Sequence, residues 1–163
     1  SLDDSGIVRS DIRASYDIST NVAEGVPLTI RLTAREAATG DALAGAAVYL
    51  WHCNRDGKYS LYTIPEENYL RGVQETDATG TVQFTSVFPG CYDGRMTHMH
   101  FEVYPSLSTA SIASNSTAVP TQPGTRCAGV AGCSQAITMA REQPNSARCH
   151  NNSTVSRMPR LPW

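Results

Sequence analysis

The stretch VPLTIRLTARE, residues 26–36, constrains the fold more than any other. Leu28, Ile30 and Leu32 alternate with Thr29, Arg31 and Thr33. A period of two puts the apolar set on one face of a strand, whereas a helix would scatter it around its axis. The same kind of segment recurs between turns. ATGDALAG (38–45) is a turn with two glycines, and AAVYLWHC (46–53) is apolar enough for a central strand. TDATG (76–80) turns the chain, TVQFTSVF (81–88) resumes the alternation, Pro89-Gly90 turns it again, and THMHFEVY (97–104) reads as a further strand. PEENYLRG (65–72) is too short and mixed to assign. Short strands at close spacing, with no long helical period, predict an all-β chain folded as an antiparallel β-sandwich.

The two ends lack this pattern. Residues 1–25 are polar and irregular and read as an N-terminal arm. After Pro105 the chain becomes rich in Ser, Thr and Ala, with only QAITMARE (135–142) resembling a helical turn. The expected organisation is a core with its arm over residues 1–122, followed by an irregular C-terminal tail over 123–163. A length of 163 residues suits that single core. The net charge of −2 and the lack of a basic stripe argue against nucleic acid as a partner. No apolar run reaches membrane-spanning length. The five cysteines show no CxxC spacing. They lead us to expect a secreted or extracytoplasmic protein, and the start at Ser1 means either that a leader was removed or that the chain was begun at a chosen boundary.

One stretch carries chemistry: GCYDGRMTHMHFEVY, residues 90–104. In a strand, His98 and His100 would share one face, and Met99, Phe101 and Val103 the other. The second set is a natural core face, so two imidazoles would project from a rigid, packed strand as neighbouring metal ligands. An exposed polar face is the plainer alternative. Tyr92 follows the turn PGCY and Tyr59 the turn DGKY, both at strand ends where functional side chains collect. Two imidazoles with two phenolates would make a hard, doubly anionic site suited to a trivalent ion such as ferric iron. Spacing alone does not choose Tyr59 over Tyr62 or Tyr69.

The stretches AAVYLWHCNRDGKYS, YLRGVQETDATGTVQFTSVFPGCYDGR and THMHFEV resemble the intradiol ring-cleavage dioxygenases, and within them the small secreted-type members. The resemblance covers roughly residues 7–122, with several motifs in the family's order. It implies one ferric ion per chain, held by Tyr59, Tyr92, His98 and His100. It implies that Arg95, three residues before the first histidine, is the active-site arginine, and that Gln122 fills the place of a glutamine on a later strand. The implied reaction is oxidation of a catechol by dioxygen to a cis,cis-muconate, with scission between the two hydroxyl-bearing carbons. Tyr92 would be the ligand that the substrate displaces, and Arg95 would stabilise the charge that grows on the ring. The expected partners are a catechol-type small molecule and dioxygen, with a homodimer left open. Cys53, at the end of its strand, and Cys91, just before Tyr92, are expected to form a disulfide beside the metal. Two other classes remain: a non-catalytic β-sandwich module with solvated histidines, and a copper or zinc enzyme using the two histidines alone.

Overall fold

A computed structural model describes residues 4–36, 38–110, 117–119 and 133–140 of the chain. The seven strands among them are β1 (Pro27–Glu36), β2 (Ala47–Trp51), β3 (Arg71–Glu75), β4 (Thr81–Val87), β5 (His100–Tyr104), β6 (Thr117–Val119) and β7 (Cys133–Ala140). They form two antiparallel sheets, ordered β4-β1-β7 and β3-β2-β5-β6. The expected antiparallel sandwich is therefore the fold. Among the described residues no helix is long and apolar enough to cross a membrane.

The alternation in β1 becomes burial: Leu28, Ile30, Leu32 and Ala34 are buried, with exposed or half-buried residues between them. Leu28, Ile30 and Leu32 meet Val82 and Phe84 of β4, Val48 and Leu50 of β2, and Phe101 and Val103 of β5 between the sheets. β2 is central in its sheet, and its other face is covered too. There Ala47 and Tyr49 pack with Val73, Tyr104, Ile7 and Ala110. That explains why AVYLW is apolar without alternation.

The N-terminal arm is part of this packing. Ile7 and Ile12 are buried, and Val8 bridges to Val73. The amide of Ile12 donates to the carbonyl of Thr85 at 3.0 Å.

Three expectations need correction. β3 was not assigned from the sequence, because RGVQE holds one large apolar residue and its Arg71 is nonetheless buried. β5 begins at His100, so His98 lies ahead of the strand rather than in it. The tail is not wholly irregular: Cys133–Ala140 is an eight-residue strand on the open edge of β1, paired from Thr29↔Ala140 to Glu36↔Cys133, where a helical turn was expected. A segment of mixed polarity takes its conformation from an available partner edge more than from its own propensity.

His52 joins the sheets at the end that carries the functional residues. Its Nδ1–H donates to the carbonyl of Cys53, and its Nε2 accepts from the hydroxyl of Ser86 in β4, both at 2.7 Å. It is 1% exposed, and burial pushes its pKa from 6.5 down to about 4. The folded state thus holds a neutral imidazole that the unfolded chain protonates below about pH 6.5. Stability from this group is present above that pH and is lost as pH falls towards 4. The unfolding free energy in urea is expected to drop by roughly 3 kcal/mol over this range through His52. A His52→Gln variant should show a correspondingly shallower acid loss than the parent. Parallel profiles for the two proteins would refute the assignment.

Candidate metal centre

Two turns meet at one end of the sandwich. The first runs from Asn54 to Tyr59. The side-chain carbonyl of Asn54 accepts from the amides of Asp56 and Lys58, both at 3.0 Å, and the Asn54 amide donates to the carbonyl of Lys58 at 2.8 Å. Gly57 supplies the left-handed backbone that closes it, at φ 76°. The second turn is Pro89-Gly90-Cys91-Tyr92, and its Gly90 amide donates to the carbonyl of Asn54 at 2.9 Å. The turns touch backbone to backbone. A Cβ at Gly57 would lie 2.7 Å from the Cys91 carbonyl oxygen, and one at Gly90 would lie 2.3 Å from that of Arg55. The turn carrying Tyr59 is thereby registered against the turn carrying Tyr92.

The expected Cys53–Cys91 disulfide does not form. Cys53 is a buried free thiol whose Sγ–H donates to the Gly90 carbonyl at 3.5 Å, while Cys91 is disulfide-bonded elsewhere. The backbone contact already clamps the two turns, and Cys53 fills the space behind it.

From these turns and from β5, four side chains converge. The hydroxyl of Tyr59 lies 3.4 Å from that of Tyr92, 3.2 Å from His98 Nε2 and 3.1 Å from His100 Nε2. The hydroxyl of Tyr92 lies 3.1 Å from His98 Nε2. His98 reaches the cluster although it precedes the strand. Its side still alternates with the core face, where Met99 and Phe101 are buried. Its Nδ1–H donates to the Met96 carbonyl at 2.5 Å, which turns the Nε2 lone pair towards the tyrosines. His100 lies opposite Trp51 in the β2–β5 ladder, and the two rings stack at 5.1 Å and 13°.

This donor set fits a metal. Ligand atoms about 2 Å from one ion lie about 3 Å from one another, and the Tyr59 hydroxyl already stands at 3.1–3.4 Å from the other three donors, with Tyr92 at 3.1 Å from His98. Tyr59 has one hydroxyl proton for three neighbours, so lone pairs outnumber protons at the centre. Burial, then the neighbouring Tyr92 hydroxyl, pushes the Tyr59 phenol up, with Arg71 pulling the other way. A phenolate there needs a cation at its oxygen. Burial, then His98, Arg71 and Arg95, lowers the pKa of His100 and favours the neutral, ligating imidazole. Among the described residues no three His, Cys, Asp or Glu side chains come together, so a metal held by these imidazoles would draw on the phenols as well.

Arg95 closes a four-residue turn with Tyr92, its amide donating to the Tyr92 carbonyl at 2.9 Å, and its side chain is exposed. Tyr62 is 76% exposed, and the buried Tyr69 packs in a separate apolar cluster, so neither replaces Tyr59. Gln122 lies outside the described residues. Reading the sequence did not single out Asn54, Trp51 or Arg71. Asn54 had a signal, because an Asn two residues before Asp-Gly favours such a side-chain-capped turn; Arg71 had none.

A family model described as "Dioxygenase" matches residues 11–109. An intradiol ring-cleavage dioxygenase from Tetranychus urticae superposes with a TM-score of 0.53 at 31% identity, covering 60% of this chain and 51% of that one. The chain belongs to the intradiol ring-cleavage dioxygenase family. Other members similar to it are a chlorocatechol 1,2-dioxygenase of Pseudomonas putida, 32% identical over 47% of this chain and 36% of its own length, and one of Rhodococcus opacus, 32% identical over 34% and 22%. This intradiol dioxygenase family member thus spans about a third or less of these curated relatives.

Proposed function

We propose that the chain is the catalytic part of a ferric intradiol dioxygenase that cleaves catechol-type substrates between their two hydroxyl-bearing carbons. The observation that carries this reading is the meeting of the Tyr59 hydroxyl with Tyr92, His98 and His100 at 3.1–3.4 Å, and of Tyr92 with His98 at 3.1 Å. Those four residues would hold one ferric ion per chain. When bound, ferric iron would supply the Lewis acidity that chelates a deprotonated 1,2-diol and activates its ring towards dioxygen.

The protein's own part is proton handling, anchoring and charge. A diol must lose two protons to chelate. Tyr92 Oη, on a short turn of its own and touching fewer of the cluster's atoms than Tyr59, is placed to leave the centre and accept one. Tyr59 bridges both imidazoles and is the anchor. Arg95, across the Tyr92 turn, would face the negative charge that develops on the ring. Both atoms of dioxygen enter the muconate, so the reaction consumes no reductant. The disulfide at Cys91 supports an oxidising, extracytoplasmic setting.

The test is metal loading followed by turnover. Iron-loaded protein should contain about one iron per chain and show a visible tyrosinate-to-iron band. It should convert catechol and dioxygen to an ultraviolet-absorbing muconate. Tyr59→Phe should bind iron more weakly, whereas Tyr92→Phe should keep metal, shift the band and turn over poorly. A fully loaded protein with no visible band would exclude tyrosinate ligation. Uptake of copper or zinc with no ferric binding would favour a site made of the two histidines.

A further inference from the structure

Arg71, at the start of β3, is 4% exposed. The carboxylate ion pairs among the described residues involve Arg13 and Arg55, and none reaches Arg71. A cation buried without a counter-ion is tolerable only when its donors are matched. Here Nε donates to the hydroxyl of Ser60 at 3.0 Å, Nη2 to the carbonyl of Ser60 at 2.6 Å, and Nη1 to the hydroxyl of Tyr49 at 3.0 Å. The ring of Tyr62 lies over the guanidinium at 5.3 Å.

Those partners lead to two of the four converging side chains. Ser60 directly follows Tyr59, and both of its oxygens accept from the same guanidinium. The Ser60 hydroxyl also donates to the carbonyl of Tyr69 at 2.7 Å, which ties the far end of the turn to the segment entering β3. Tyr49 stacks on Trp51 at 4.8 Å and 23°, and Trp51 stacks on His100 at 5.1 Å and 13°. One planar, rigid group therefore sits at the fork between the peptide that carries Tyr59 and the aromatic stack that orients His100. A lysine would keep the charge but could not span three acceptors in that plane.

We propose that Arg71 is a positioning residue for the metal centre: it sets Tyr59 through Ser60, and the ring plane of His100 through Tyr49 and Trp51. The inference rests on the ferric reading of the site given above. It assigns Arg71 no contact with substrate.

The test uses Arg71→Lys, Arg71→Met and Tyr49→Phe. Metal-free crystal structures of the variants are compared with the parent, and each protein is titrated with ferric iron while its visible band is recorded. In R71K the Tyr59 hydroxyl should leave its 3.1–3.2 Å contacts with His100 and His98. Ferric affinity should fall about 10–100-fold, the range typical for groups that orient ligands, and the band should shift. Arg71→Met should behave alike, which separates positioning from charge. If Arg71→Met does not fold, Tyr49→Phe breaks a single bond and should tilt the His100 ring and shift the band. A merely structural arginine would lower the unfolding temperature of R71K but leave the Tyr59 contacts, the affinity and the band as in the parent; that result overturns the proposal. Should the parent itself bind no ferric iron, the metal reading fails. The metal-free structures then decide the positioning role by the places of Tyr59 and His100 alone.

Discussion

Gly90→Ala is expected to reduce ferric uptake by about a hundredfold or more. The added Cβ would lie 2.3 Å from the carbonyl oxygen of Arg55, 2.8 Å from its carbonyl carbon and 2.9 Å from the amide nitrogen of Gly57. All three are backbone atoms, so no rotamer change relieves the contact, and the turn from Asn54 to Tyr59 must move as a unit. A shift approaching 1 Å would separate Tyr59 from Tyr92 and the two histidines, whose contacts span only 3.1–3.4 Å. Overpacking should also cost about 1–3 kcal/mol of stability. Gly40→Ala is the control. That glycine has φ 80° with nothing within 4 Å of the added carbon, so it bears only the backbone strain, about 1 kcal/mol, and should leave metal uptake alone. Iron titration and urea unfolding of both variants separate the two effects. Parental iron affinity in Gly90→Ala would show that the two turns are not registered through this contact.

The contrast between those glycines marks how much a sequence can reveal. The alternation in β1 and β4 was legible because one face of each is buried, and burial writes itself into polarity every second residue. The apolar run of β2 was legible because both of its faces are covered. His98 and His100 stood out because imidazole is scarce and the spacing is short. Tyr92 lay in the same short stretch, but Tyr59 did not stand out, since Tyr62 and Tyr69 lie as near in the chain; that choice needed the family's motif order.

What stayed hidden was contact across distance. Nothing in RGVQE says that its arginine will be buried, because the acceptors that make burial tolerable are the two oxygens of Ser60 and the hydroxyl of Tyr49. Likewise β7 exists because β1 offers an unpaired edge, not because CSQAITMA is a strong strand former. The Cys53–Cys91 pairing failed for a related reason. Nearness to one site is not the same as having Sγ atoms aimed at each other, and Cys53 points at the Gly90 carbonyl.

The roles of metal ligand and charge stabiliser should separate cleanly between His100 and Arg95. His100→Ala removes the nitrogen proposed as a ligand, 3.1 Å from the Tyr59 hydroxyl, and with it the ring stacked on Trp51. This variant should fail to retain iron and should be colourless. Arg95→Ala should do neither. Its turn is held by the main chain, and among the described residues its side chain forms no ion pair. Truncation therefore leaves Tyr92 and His98 in place. Its charge nevertheless reaches the centre, since Arg95 is among the groups that lower the pKa of His100. A fixed positive charge of this kind helps most where negative charge grows during the reaction, and removing one such preorganised group typically costs on the order of a hundredfold in rate. Arg95→Ala should keep iron, colour and the catechol-induced shift of the band. It should lose about that factor in kcat, with a smaller change in KM. Stopped-flow mixing of the anaerobic catechol complex with dioxygen measures this step directly. If Arg95→Ala cleaves catechol as fast as the parent, the arginine is a bystander at the rim. If either protein yields a coloured semialdehyde, scission falls outside the diol and the intradiol reaction is not the one this site performs.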